Sequence, residues 1–124
     1  MIVGTGIDIV EIERIAEKLD KAEGFREKVF SANEILFCES KTEKHQHYAA
    51  RFAAKEAFLK ATGKGFLQTL NLFEIEVVND HAGKPSLALR GSLEKLANEN
   101  RWTRIHISLS HVKSTACAVV IIEG

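Results

Sequence analysis

Several features that would assign a chain to a specialised class are missing here. There are only two cysteines in 124 residues. Cys38 and Cys117 stand in apolar surroundings without C-x-x-C spacing, which argues against a disulfide framework or a zinc pair and reads as two small core residues. Net charge is also absent: 17 basic residues balance 17 acidic ones, so charge favours neither nucleic acid nor membrane as partner. No apolar run approaches the roughly 20 residues that cross a bilayer. Met1–Gly6 lacks the basic region and apolar length of a signal peptide, and Asp8 and Glu11 come directly after it, so a mature cytoplasmic chain is expected. Internal repeats, low-complexity tracts and linkers are lacking too. What remains is an ordinary globular composition, 45% hydrophobic and 27% charged, at a length that fits one domain over residues 1–124.

Residues 2–9 alternate as a strand, Ile7 and Ile9 on one face and Gly4, Gly6 and Asp8 on the other. Ile12, Ile15, Ala16 and Leu19 then adopt helical spacing over residues 11–21, leaving Arg14, Lys18 and Lys21 exposed. Gly24 breaks that helix, a short segment runs from Phe25 to Phe30, and Ser31-Ala32-Asn33-Glu34 has the form of a capping box opening another helix. A long central helix runs from a cap at Thr42 to Gly63, the usual C-terminal glycine. Strands at 73–78 and 86–89 make a hairpin, residues 91–100 a helix, and 105–111 a strand with Ile105, Ile107 and Leu109 opposite His106, Ser108 and Ser110. The last strand, 115–122, is apolar on both faces and so central. The pattern predicts an α+β domain: a small, mostly antiparallel sheet packed by one long helix.

Two carboxylates sit where a carboxylate is costly. At about 100° per residue, Glu56 shares a stripe of the central helix with Tyr48, Ala49, Phe52, Ala53 and Leu59, and Lys60 stands one turn further on. An unpartnered buried charge costs several kcal/mol, whereas an exposed i,i+4 Glu/Lys pair returns about 0.2–0.5 kcal/mol. Glu56 therefore needs a metal ion or a second buried partner. Asp8, in an apolar strand behind two glycines, is either a cap for the next helix or a metal ligand whose second carboxylate lies elsewhere. Gly63-Lys64-Gly65 forms a turn with a cation at its tip, a weak phosphate signal. His45 and His47, two apart, point to different sides and make poor joint ligands. The row His106, Ser108, Ser110 is either the wet side of a half-buried sheet or a donor set for an anion; no Gly-x-Ser-x-Gly elbow supports a hydrolase.

Taken together, Gly4-Thr5-Gly6-Ile7-Asp8-Ile9-Val10-Glu11-Ile12-Glu13-Arg14-Ile15, Arg51-Phe52-Ala53-Ala54-Lys55-Glu56-Ala57-Phe58-Leu59-Lys60-Ala61 and the closing strands from His106 to Ile122 resemble the signatures of the short, single-domain 4′-phosphopantetheinyl transferases, the holo-[acyl-carrier-protein] synthase family. The resemblance implies that fold and a Mg²⁺-dependent transfer of 4′-phosphopantetheine from coenzyme A to a serine of apo acyl carrier protein, releasing adenosine 3′,5′-bisphosphate, in support of fatty acid biosynthesis. It implies Asp8 and Glu56 as Mg²⁺ ligands, and Glu56 and Lys60 as catalytic groups. It further implies Lys60, Gly63, Gly65, His106, Ser108, Ser110 and His111 near coenzyme A. Lys64 departs from the small residue usual between the glycines, and either touches a coenzyme A phosphate or is solvated. Because acyl carrier proteins are acidic, the cations Arg14, Lys18, Lys21 and Arg26, with Phe25, are expected to dock one. The short family is typically a homotrimer, so sites shared between subunits are expected, Asp8, Glu56 and Lys60 from one chain and the His106–His111 strand from its neighbour.

Two other readings compete. A small α+β module binding an acidic protein without catalysis accounts for the basic positions but leaves Asp8 and Glu56 unexplained. A different Mg²⁺-dependent phosphotransferase acting on a nucleotide lacks the Gly-x-x-x-x-Gly-Lys-Ser/Thr loop.

Overall fold

The computed structural model describes residues 1–64 and 71–124; Gly65, a predicted site residue, lies outside them. The elements run β1 (Ile2–Glu11), α1 (Ile12–Lys21), α2 (Phe25–Val29), α3 (Ala32–Glu39), α4 (Lys44–Thr62), β2 (Ile75–Asn79), β3 (Pro85–Leu89), α5 (Gly91–Glu99), β4 (Arg104–His111) and β5 (Thr115–Glu123). All strand pairings among the described residues are antiparallel: β1-β5-β4 form one sheet, and β2 and β3 form a hairpin. The strand expected to be apolar on both faces, β5, is indeed the central one.

The three-stranded sheet has two unlike faces. On the inner face, Gly6 lies opposite Val120 and Val120 opposite Ile107, while Asp8 lies opposite Ala118 and Ala118 opposite Leu109. On the outer face the rows are Thr5, Ile121, His106, then Ile7, Val119, Ser108, then Ile9, Cys117, Ser110. Ile7 and Ile9 are 67% and 71% exposed there. Cys38 is buried as expected, but Cys117 is only half-buried, because odd-numbered positions of β5 face outward.

Helix α4 crosses the inner face and is buried along most of its length. On one side it packs with Ile75, Leu93, Val120 and Ile122, and on the other with Ile15, Phe30 and Cys38. Val10, Leu72 and Leu109 touch both groups, so the core is continuous. Glycine decides how closely β1 meets this helix: a Cβ on Gly6 would stand 1.9 Å from the Ala57 carbonyl oxygen, and one on Gly4 1.9 Å from that of Ala61. Strand and helix therefore meet backbone to backbone, and Asp8, next along the same face, is carried against α4.

Ser31 and Gly63 mark helix ends as the sequence predicts, and Thr42 does not. Ser31 Oγ accepts from the Glu34 amide and Glu34 Oε1 from the Ser31 amide, the reciprocal cap expected of that tetrapeptide. Gly63 closes α4 at φ 67°, a left-handed conformation that costs glycine little. Thr42 does not cap α4: the helix starts after Glu43, without a side-chain cap, and Lys44 in its first turn pairs with Glu39 at 3.2 Å. The first hairpin strand begins at Ile75, since Leu72–Glu74 close a 3-10 turn in which the Glu74 amide donates to the Asn71 carbonyl.

Candidate active site

The stripe of α4 carrying Phe52, Glu56 and Lys60 faces β1 and α1. Asp8 and Glu56 line one cavity of about 230 Å³ together with Val10, Arg14, Ile15, Lys18 and Phe52. Asp8 is not a cap for α1; the N-cap is Glu11, with no side-chain bond. Instead Lys60 Nζ donates to Asp8 Oδ1 at 2.9 Å and to the Ile7 carbonyl at 3.1 Å. Burial pushes the Glu56 carboxyl above the usual carboxylate range, and the neighbouring Asp8 charge pushes it the same way, against Lys60 and Lys18. Two carboxylates that share a cavity and repel one another fit a hard cation. Among the described residues no three His, Cys, Asp or Glu side chains cluster as metal ligands, so a cation would rest on these two and complete its shell from water and substrate oxygens, the usual manner of Mg²⁺.

Glu56 is half-buried rather than central to the packing face. The fully buried charge of α4 is its neighbour Lys55, which donates to Glu34 Oε1 at 2.7 Å, to the Leu72 carbonyl at 3.1 Å and to the Ile75 carbonyl. Reading only the Glu56 stripe missed this pair. The signal was there: Arg51 and Lys55 stand four apart, on one face of a run otherwise made of Ala and Phe.

Arg51 belongs to a second cavity, of about 480 Å³, which sequence reasoning also missed. Lys41, His47, Arg51, His81 and His111 line it together with Asp80, with Phe37, Pro85 and Leu109 as apolar walls. Arg51 donates to Asn79 Oδ1 at 2.5 Å and stacks over Phe37, its guanidinium carbon 4.1 Å from the ring centroid, and its buried Nε has no hydrogen-bond partner among the described residues. Burial, then Arg51, Lys41 and His111, hold His47 below the ordinary histidine range.

The remaining predicted residues are dispersed within one chain. His106, Ser108 and Ser110 point to the outer face, away from Asp8, and His106 Nε2 lies 2.5 Å from Glu123 Oε1. His111 lies at the second cavity. Gly63 caps the helix three residues beyond Lys60, and the Lys64 amide donates to Thr62 Oγ1. Arg14, Lys18 and Lys21 are exposed on α1, and Lys18 Nζ lies 5.8 and 5.9 Å from the Phe25 and Phe52 ring centroids. Arg26 turns elsewhere, towards Glu39 and the Tyr48 ring.

Residues 4–120 match the 4′-phosphopantetheinyl transferase superfamily. Among curated relatives, the holo-[acyl-carrier-protein] synthase of Cytophaga hutchinsonii is 47% identical over 98% of this chain and 97% of its own. Among solved structures, the holo-[acyl-carrier-protein] synthase of Neisseria meningitidis superposes with a TM-score of 0.90 at 32% identity over all of both chains. The Bacillus anthracis holo-(acyl-carrier-protein) synthase in complex with CoA (3′,5′-ADP) superposes with a TM-score of 0.79 at 38% identity, over 98% of this chain and 96% of that one. The chain belongs to the 4′-phosphopantetheinyl transferase superfamily, in its holo-[acyl-carrier-protein] synthase branch.

Proposed function

We propose that this chain, acting as one domain in the cytoplasm, transfers 4′-phosphopantetheine from coenzyme A to a serine of apo acyl carrier protein and releases adenosine 3′,5′-bisphosphate, in support of fatty acid biosynthesis. The observation that carries the reading is the meeting of Asp8 and Glu56, from strand and helix, in one cavity with Lys60 on the Asp8 carboxylate. Relatives named holo-[acyl-carrier-protein] synthase over the full chain support it.

In the transfer, the serine oxygen forms a bond to the phosphorus bearing the pantetheine arm, and the bond from that phosphorus to the bridging oxygen breaks. Asp8 and Glu56 would hold Mg²⁺, which neutralises charge developing on the phosphate oxygens. Lys60, which donates to the Ile7 carbonyl and to Asp8, is suited to donating to phosphate oxygens of the substrate. The serine proton then leaves through a water oriented by Glu56. Lys18, at the rim of the cavity, adds positive potential, and Arg14, Lys18, Lys21 and Phe25 on α1 and α2 offer an acidic carrier a basic surface with an apolar anchor.

Three copies related by a threefold axis form the working unit in this reading. Apolar Ile7 and Ile9 on the outer sheet face support a self-association surface. A subunit's two cavities, one placing Arg14 and Lys18 beside Asp8 and Glu56 and the other carrying Lys41 and Arg51, suit a polyanionic substrate held between the first cavity of one subunit and the second of its neighbour. Incubation with coenzyme A, Mg²⁺ and an apo carrier tests the assignment: mass spectrometry should show the phosphopantetheine adduct on the carrier, and an unmodified carrier would overturn it.

A further inference from the structure

Asp8 already has a cation. Lys60 Nζ bonds both its carboxylate and the carbonyl of Ile7, so the ammonium occupies an oxygen pocket presented by β1. The two partners differ in freedom: the Asp8 side chain is 16% exposed and the Lys60 side chain 55%. The anchor is fixed and sheltered, while the cation hangs on a flexible stem in the last turn of α4, just ahead of the Gly63 cap. Glu56, one turn earlier, feels Asp8, Lys60 and Lys18 through space.

We propose that Lys60 is an internal stand-in for the divalent cation: in the metal-free protein its ammonium neutralises Asp8, and a metal must displace it. The inference rests on the reading of Asp8 and Glu56 as metal ligands. Two carboxylates in one cavity repel each other when it is empty of cations, and a single ammonium on one of them offsets part of that repulsion without closing the site. A ligand that must expel an internal competitor binds with an apparent affinity reduced by the fraction of molecules in which the competitor is in place. Displacement has a second consequence. The freed ammonium remains tethered one helical turn from Glu56, so a positive charge becomes available to a substrate phosphate only once the metal is in place.

Manganese binding to the intact chain without coenzyme A tests this, read from the electron paramagnetic resonance signal of free Mn²⁺. Lys60→Met should tighten binding roughly three- to tenfold, as removal of a competing ion pair predicts. Lys18→Met is the control, because Lys18 lines the same cavity and acts on Glu56 without bonding Asp8; it should change affinity less than about twofold. Equal binding by wild type and Lys60→Met, or an equal gain in Lys18→Met, would overturn the stand-in role while leaving the metal site standing. If none of the three proteins binds Mn²⁺, the assignment of Asp8 and Glu56 as metal ligands falls, and the stand-in role with it.

Discussion

Lys55 and Glu34 form an ion pair with both side chains fully buried, Nζ to Oε1 2.7 Å, one residue before Glu56 on α4. Glu34 Oε2 also accepts the Val77 amide at 3.0 Å, so the pair joins α3, α4 and β2. Burial holds the Lys55 ammonium below the usual lysine range even with Glu34 beside it. Breaking such a pair on one side strands a charge. Lys55→Met should cost about 3–5 kcal/mol in urea unfolding, and the double variant Lys55→Met with Glu34→Leu distinctly less than the two single changes combined. The double variant keeps a deficit of about 2–4 kcal/mol, because Glu34 also accepts the Ser31 amide of the cap and the buried Val77 amide.

Close contact between β1 and α4 makes a second prediction. Gly6→Ala puts a Cβ 1.9 Å from the Ala57 carbonyl oxygen, against backbone that cannot swing aside. Thermal unfolding should show a loss of at least about 1–3 kcal/mol, and transfer should fall further than stability does, because β1 must shift and take Asp8 with it.

Asp8→Ala and Glu56→Ala should each lower turnover with Mg²⁺ and coenzyme A by at least about 100-fold while far-ultraviolet circular dichroism stays unchanged. Wild-type turnover in both would end the metal assignment.

Glu56 also sets a pH dependence. Its carboxyl titrates above the reference value of 4.5 in the fold, so between that value and its raised native one the native state holds more protons than the unfolded chain. Stability of the metal-free protein therefore falls as pH rises through this window. In Glu56→Gln that decline should disappear, measured as the difference in Tm between the two proteins from pH 4 to 8.

Charge reversal on α1 reports on the carrier surface. Arg14→Glu should raise KM for the acyl carrier protein roughly three- to tenfold with kcat little changed, and the difference should shrink as salt is added. An unchanged KM would remove α1 from the docking surface.

The outer sheet face carries the assembly prediction. Ile7→Asp combined with Ile9→Asp should convert a trimer to monomers in sedimentation and abolish transfer. Where sites are shared, mixing inactive Asp8→Ala chains with inactive chains carrying His106→Ala and His111→Ala should restore activity after subunit exchange. Failure of restoration with exchange verified by mass spectrometry would overturn shared sites.

Features that depend on local periodicity and local chemistry were determined by the sequence alone. Alternation along β1 placed Gly4, Gly6 and Asp8 on one face, two-sided apolarity put β5 in the middle of its sheet, and Ser31, Glu34 and Gly63 marked helix ends, because each of these depends on neighbours a few residues away. Asp8 and Glu56 were legible in the same way, since a carboxylate in an apolar stripe stands out without knowledge of its partner, whereas Lys60 was marked by the family resemblance. Only the tertiary structure decided the partners. Periodicity could count the stripes of α4 but not rank them by depth, so Lys55, rather than Glu56, proved to be the fully buried charge, its carboxylate supplied 21 residues away. That Asp8 meets Lys60, 52 residues apart, results from two glycines admitting a helix backbone, a contact between distant segments that no local pattern encodes. The cavity around Arg51 and His111 arises the same way, from α4, the β2–β3 hairpin and β4 converging on one point.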